Sequence, residues 1–385
     1  MSRKRIKIFC VTGTRADYPR VKPVLKLIQK EQKFDLRIIV TGQHLEKKFG
    51  YTYDEIKNDN FKIISKVKIF DNDDSIIGMN TALSKCYLGI SKILKKNRPD
   101  LLLLTVDRIE TLGAALAGMT NNIPIAHIQG GEVTGTLDET IRHCVTKMSH
   151  IHFPANKDAK KRILKMGEMK SLVFDVGCPY IDYINTEKYL SKKELSKVLN
   201  INLNKKFAIF TQHAVTSEIN TNYKNFKISL KAINKFKDVI FICLFSNADA
   251  GGRKINQALK QNKNMFIYKN LKEKVFLSLM KHASFMLGNS SAGIREAPSF
   301  GLPVINVGNR QNGRLRAKNV IDVNYNSNNI ISAIQYVLNN KEFIKSVKKI
   351  KNPYGDGKSS KRIVSILKKI DIESINIQKI FLDDQ

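Results

Sequence analysis

From end to end of this chain, short apolar runs alternate with stretches of helical periodicity. In the first half the runs are Ile6–Thr12, Leu36–Thr41, Lys62–Val67, Leu101–Val106, Ile123–Ile128, His150–Phe153 and Leu172–Val176. They show no in/out alternation, which is the pattern of strands covered on both faces in a parallel sheet. Helical stretches such as Val21–Lys30, Ile76–Lys96 and Asp138–Met148 lie between them. Strand, helix, strand in that order is the signature of βαβ units, so the fold class is α/β. Gly177-Cys-Pro179 closes this set. A Lys-rich stretch poor in apolar residues, Asn185–Lys206, reads as the inter-domain connection. The alternation then resumes with strands Phe207–Thr211, Val239–Phe245, Met265–Tyr268, Phe285–Leu287 and Val304–Val307, and helices such as Tyr223–Lys235 and Val275–Lys281. A chain of 385 residues has room for two domains. The expectation is two doubly wound halves, 1–180 and 181–357, without an internal sequence repeat.

Composition removes several alternatives. The hydrophobic fraction of 42% is too high for a disordered chain. No stretch approaches the roughly 18 uncharged apolar residues of a membrane span. The basic start, Met1 to Arg5, leads into a short apolar run and then straight into Thr12-Gly13-Thr14-Arg15, with no small-residue cleavage site. It reads as a first strand rather than a signal peptide, and the expected compartment is the cytoplasm. Cys10, Cys86, Cys144, Cys178 and Cys243 are odd in number, scattered and free of any CxxC spacing, against both a disulfide framework and a zinc knuckle. Cys10 and Cys243 sit in apolar runs and read as buried small hydrophobes. The net charge of +32 suggests nucleic acid. Its lysines, however, are spread along the chain as pairs such as Lys47-Lys48, Lys205-Lys206 and Lys368-Lys369, with no basic tail or aromatic interleaving. A diffuse positive field instead favours anionic small ligands.

In an open α/β sheet, ligands gather at the carboxyl ends of the strands, and two facing halves make a cleft. The chemistry-bearing residues do follow strands. The first strand ends in Thr12-Gly13-Thr14-Arg15-Ala16-Asp17-Tyr18, where Gly13 permits a tight turn and Arg15 offers a planar fork to phosphate. This is neither GxGxxG nor a P-loop. Leu101–Val106 runs into Asp107-Arg108-Ile109-Glu110, charged groups at the mouth of a buried strand. They are either a helix cap with first-turn charge or site residues. Ile123–Ile128 leads to Gln129-Gly130-Gly131-Glu132 and, past Gly135, to Asp138, Arg142, His143 and Lys147. Asp138 and Arg142 share a helix face, which an i,i+4 ion pair would explain. Glu132, Asp138 and His143 are candidate acids and bases.

In the second half, Phe207–Thr211 leads to Gln212-His213 and on to Glu218, and Val239–Phe245 leads to Ser246-Asn247. Phe285–Leu287 leads to Gly288-Asn289-Ser290-Ser291, with Gly293, Arg295 and Glu296 following. Small residues, hydroxyls and free N–H groups at a helix start suit a diphosphate. Val304–Val307 ends in Gly308-Asn309-Arg310, with Arg314 beyond. His44, His150, His152 and His282 read as structural, and His127 as either structural or functional. No His/Asp/Glu spacing suggests a metal, and no Gly-x-Ser-x-Gly elbow is present.

Taken in order, these segments resemble the UDP-N-acetylglucosamine 2-epimerase family, most closely its hydrolysing branch. The matching stretches are Val11 to Tyr18, Asp107-Arg108, His127 to Glu139 with Arg142-His143, and Gly177-Cys-Pro179. They continue with Gln212-His213, Asn289-Ser290-Ser291 through Arg295-Glu296, Arg310-Gln311, and Asn352 to Gly357. The resemblance implies two Rossmann-like domains (GT-B-like) with the active site in the inter-domain cleft. It also implies a C-terminal part, 358–385, whose helix Ser359–Ile370 crosses back to the first domain. The family chemistry removes the C2 proton of the sugar and expels the nucleoside diphosphate. It then hydrates the resulting glycal at C1 and reprotonates C2 from the other face, freeing a sugar of the N-acetylmannosamine type.

By the same resemblance, Asp107 and Asp138 are the acid/base pair, Glu132 supports them, and His213 meets the diphosphate or the leaving group. Arg15, Ser290, Ser291 and Arg310 hold phosphates and uridine, Glu296 a ribose, and Gly13 belongs to the binding set. Arg108, Gln129, Arg142, His143, Glu218, Asn247 and Arg295 complete the binding set. No cofactor, metal, nucleic acid or membrane partner is expected; the substrate is a nucleotide sugar and the assembly a homodimer or homotetramer. The chain departs from the family pattern twice, with Val106 for a glycine and Gln129 for a frequent glutamate, and an amide cannot move a proton. Two other readings compete: a glycosyltransferase of the same architecture, which would need an acceptor, and a polyanion-binding protein, whose binding would collapse in salt.

Overall fold

The computed structural model describes residues 5–383 apart from 16, 48–49, 72, 74, 135–136, 216–217, 247–250, 263–264 and the side chain of Ile76. The chain divides into two compact units, 1–183 with 354–385, and 184–353.

In the first unit, β1 (Ile6–Thr12), β2 (Phe34–Thr41), β3 (Ile63–Val67), β4 (Leu101–Thr105), β5 (Ile125–Ile128) and β6 (Ile151–Phe153) form one parallel sheet in the order β3-β2-β1-β4-β5-β6. The apolar runs are explained by burial on both faces. Ile8 and Cys10 point into a core with helix Tyr18–Lys30 and the C-terminal helix Ser359–Lys369, through Val21, Leu25, Ile363 and Leu367. Phe9 and Val11 point the other way, against helices Ile76–Lys96 and Ile109–Thr120. Each such side chain removed from water contributes roughly 1.5–3 kcal/mol. The C-terminal helix is seated by Asp182, whose two carboxylate oxygens accept the N–H groups of Ser359 (3.0 Å) and Ser360 (2.6 Å). Those donors have no partner inside the helix.

The second unit repeats the plan with β7 (Phe207–Thr211), β8 (Ile240–Leu244), β9 (Phe266–Tyr268), β10 (Phe285–Gly288), β11 (Val304–Val307) and β12 (Val320–Val323), ordered β12-β11-β10-β7-β8-β9. Counted within the unit this is again 3-2-1-4-5-6, the doubly wound order. Each sheet therefore has one switch point, between β1 and β4 in the first unit and between β7 and β10 in the second.

Three expectations need correction. Leu172–Val176 is not a strand. A 3₁₀ turn occupies Lys170–Leu172, and only the single bridge His152↔Val173 follows, because β6 is three residues long and offers no ladder to extend. β12 escaped notice: it is a four-residue edge strand, half-exposed and interrupted by Asp322. Finally, Asn185–Lys206 is more than a connection. It holds helix Lys192–Leu199, closed by a Ser191/Glu194 capping box, with Leu195, Leu199, Ile201 and Leu203 buried. Among the described residues, no helix is long and apolar enough to cross a membrane.

Candidate functional site

The loop after β1 is built around Asp17. Its buried carboxylate accepts the Thr12 hydroxyl (2.8 Å) and the N–H groups of Gly13 (2.9 Å) and Thr14 (3.1 Å). The Thr12 hydroxyl also lies 3.0 Å from Nε2 of His44, whose Nδ1 is 2.6 Å from the Thr52 hydroxyl. The sequence motif is thus a turn closed by its own aspartate, and it leaves Arg15 exposed at the rim.

Across the switch point, β4 leads into Val106 and Asp107. Asp107 is not a helix cap: the N-cap of Ile109–Thr120 is Arg108, and Oδ2 of Asp107 accepts two N–H groups of Arg142, Nε at 2.8 Å and Nη2 closer still. Arg142 is buried and also donates from Nη1 to the Glu132 carbonyl. Asp138 pairs with Arg108 at 3.5 Å instead of with Arg142. The i,i+4 pair is therefore replaced by a crossed arrangement, Asp107–Arg142 and Asp138–Arg108, tying the end of β4 to helix Leu137–Met148. Thr134 N–H donates to Glu139 Oε2 at 2.5 Å, and His143 Nε2 lies 3.9 Å from Glu139. Burial, with Arg142 next, holds the His143 imidazole below its usual range. The structure thus brings Asp107, Arg108, Glu132, Asp138, Arg142 and His143 to one end of one sheet.

The two departures from the family pattern share a backbone property. Val106 has φ +57° and Gln129 φ +65°, both left-handed, where glycine is unstrained and a β-branched residue is rare. Val106 is held there by its N–H to Ile128 O (3.1 Å) and by Nε2–H of His127 donating to its carbonyl (2.8 Å). Burial pushes His127 down to about 3, so it serves as a neutral strut. Gln129 is buried, donating to Cys178 Sγ (3.1 Å) and accepting from Arg20 (3.1 Å). His150, His152 and His282 each have backbone or Glu168 partners, in keeping with structural roles.

In the second unit Asn289 is the hub of the switch point. Its Oδ1 accepts from His213 N (2.7 Å) and its Nδ2 donates to His213 O (2.9 Å). Its own carbonyl accepts from Arg310 Nη1 (3.2 Å) and Gln311 Nε2 (2.8 Å). Gly288 permits this: at φ +125°, a side chain would stand 2.0 Å from Thr211 O. Ser290 caps helix Ser291–Arg295 through Ala292 N (3.3 Å), which leaves Ser291 without a capping task. Arg295 and Glu296 are buried, and the Arg295 carbonyl is held by Asn352 (2.7 Å). Burial first, then Arg310, pushes His213 down to about 3, so it stays neutral near pH 7. Asn247 and Gly135 lie outside the described residues.

Sequence reasoning passed over two groups. Arg162 donates to the Gly131 carbonyl from a helix with no motif of its own. Tyr325 lies against Gly308, its hydroxyl 2.4 Å from where a side chain there would begin, and its phenol is pushed up by burial and by neighbouring Glu218. Among the described residues, no group of three or more His, Cys, Asp or Glu side chains could hold a metal ion.

Doubly wound sheets with glycine-rich and charged loops at the switch point define a class of nucleotide-binding α/β enzyme. The family profile described as UDP-N-acetylglucosamine 2-epimerase matches residues 26–368, and the chain belongs to that family. It is 37% identical over 376 residues, 97% of this chain and 98% of the other, to a hydrolysing UDP-N,N'-diacetylbacillosamine 2-epimerase of Legionella pneumophila. It is also 37% identical over 332 residues, 85% of this chain and 86% of the other, to a hydrolysing GDP/UDP-N,N'-diacetylbacillosamine 2-epimerase of Campylobacter jejuni. Among solved structures, the UDP-N-acetylglucosamine 2-epimerase of Neisseria meningitidis bound to UDP-GlcNAc matches with a TM-score of 0.83 at 24% identity, over 95% of this chain and all of that one.

Proposed function

We propose that the protein hydrolyses a nucleoside-diphosphate 2-acetamido sugar with inversion at C2. The substrate is UDP-N-acetylglucosamine or a diacetamido relative such as UDP-N,N'-diacetylbacillosamine, the compound named for the Legionella relative. The observation that carries the reading is the crossed pair Asp107–Arg142 and Asp138–Arg108 at the carboxyl end of the first sheet. Two carboxyl groups at such a place can serve as base and acid, one ionised to take a proton and the other protonated to give one. One takes the C2 proton as the C1–O bond to the diphosphate breaks, giving a glycal. Water then adds at C1, while the other delivers a proton to the opposite face of C2. Glu132 supports this pair. Gln129 is spent on Arg20 and Cys178, so proton transfer falls to the three acids.

Expulsion of a diphosphate needs donors where negative charge develops. The second unit supplies Arg310, Ser290, Ser291 and the neutral imidazole of His213. Glu296 is the ribose acceptor. The glycosyltransferase reading finds no support in the relatives, and the test separates the two. Incubation with each nucleotide sugar and no acceptor yields free nucleoside diphosphate and a free 2-epimeric sugar in equal amounts. Turnover only in the presence of an added acceptor would overturn the proposal.

A further inference from the structure

Glu110 stands one helical turn past Asp107, at the β1/β4 switch point, and is 1% exposed. Two glycines close on its side chain. A Cβ on Gly13 would stand 2.7 Å from Glu110 Cβ and Cγ, and one on Gly42 would stand 2.5 Å from Oε1. Oε2 is buried without a hydrogen-bond partner among the described residues. An ionised carboxylate enclosed in this way trades its water for little more than its own backbone N–H, whereas the neutral acid is tolerated. Arg108, Asp17, Asp138 and the Cys86 thiol act on it, and His44, Asp107 and Arg142 belong to the same loops and helices. Asp17 comes from the loop after β1 and His44, 3.7 Å from Asp17, from the turn after β2. Arg108 and Asp107 belong to its own segment. Asp138, with Arg142, comes from helix Leu137–Met148, and the Cys86 thiol from helix Ile76–Lys96. Burial pushes the Glu110 carboxyl up to about 7, with Arg108 opposing and Asp17 and Asp138 adding to the rise.

We propose that Glu110 is a positioning residue for the two carboxylate pairs, acting as an uncharged acid on which the Gly13 loop seats, and that its ionisation disarms them. A negative charge here draws Arg108 off Asp138 and repels Asp17, which closes the loop carrying Arg15. The inference deepens the proposed function and rests on it. Its test is the pH dependence of nucleotide-sugar hydrolysis in wild type and Glu110→Gln. Wild-type kcat should fall about tenfold per pH unit above about pH 7.5, the slope of one ionisation. Glu110→Gln, which keeps the shape and cannot ionise, should lack this limb while KM changes less than about threefold. The same limb in both proteins would overturn the inference. Infrared pH-difference spectra of wild type give a second readout that needs no turnover. A protonated-carboxyl band should vanish between about pH 6 and 8 and be absent from the variant. Its absence from wild type also overturns the inference. Failure of both proteins to turn over any nucleotide sugar strikes the proposed function, and the infrared band then decides the state of Glu110 alone.

Discussion

Asp107 carries two tasks, and they separate on substitution. Asp107→Asn keeps an oxygen for Arg142 but cannot take a proton. The variant should still be stabilised by UDP, with turnover lowered by a factor on the order of 10²–10⁴; thermal shift and sugar release measure the two, and full activity would remove Asp107 from the mechanism. The buried imidazoles set a pH dependence of their own. His127 and His213 are held at about 3, far below the unfolded value of about 6.5, so the folded state binds fewer protons than the unfolded one. Their contribution is intact above about 6.5 and is lost as pH falls toward 3. Denaturant titrations should show stability dropping by several kcal/mol over that window, and His213→Asn should make the drop shallower. At this scale the sequence was half legible. Charged residues directly after apolar strands mark Asp107 and Asp138. Their crossed partners were hidden, because helix spacing describes neighbours within one helix, whereas Asp107 and Arg142 are 35 residues apart on different elements. Asn289 stood among the marked residues, but its place as the hub of His213, Arg310 and Gln311 rests on contacts that sequence spacing does not show.

Strands buried on both faces announce themselves, which is why β1 to β11 could be read from the sequence without contacts; β12 could not, being short, half-exposed and broken by Asp322. Leu172–Val176 shows the opposite failure, an apolar run with only one bridge available to it. The C-terminal helix depends on a partner far away in sequence. Asp182→Ala strips the Ser359 and Ser360 N–H groups of their acceptor and should lower stability by about 1–2 kcal/mol, as removal of a helix cap does. Urea unfolding checks it, and an unchanged midpoint would show that packing of Ile363 and Leu367 against the first sheet suffices to seat the helix.

Both units adopt the 3-2-1-4-5-6 order, and in both, segments that the sequence marked out follow the two strands that flank the switch point. Asp17, Glu110 and Asp107 meet there in one, and His213, Asn289 and Arg310 in the other. The charge of +32 surrounds these loops with a field that favours anionic ligands. Hydrolysis run in deuterium oxide reads out proton abstraction from carbon by the first unit's carboxylates. The released 2-epimeric sugar should carry one deuterium at C2, placed there when the glycal is reprotonated. Release of sugar with its original C2 hydrogen retained would contradict it.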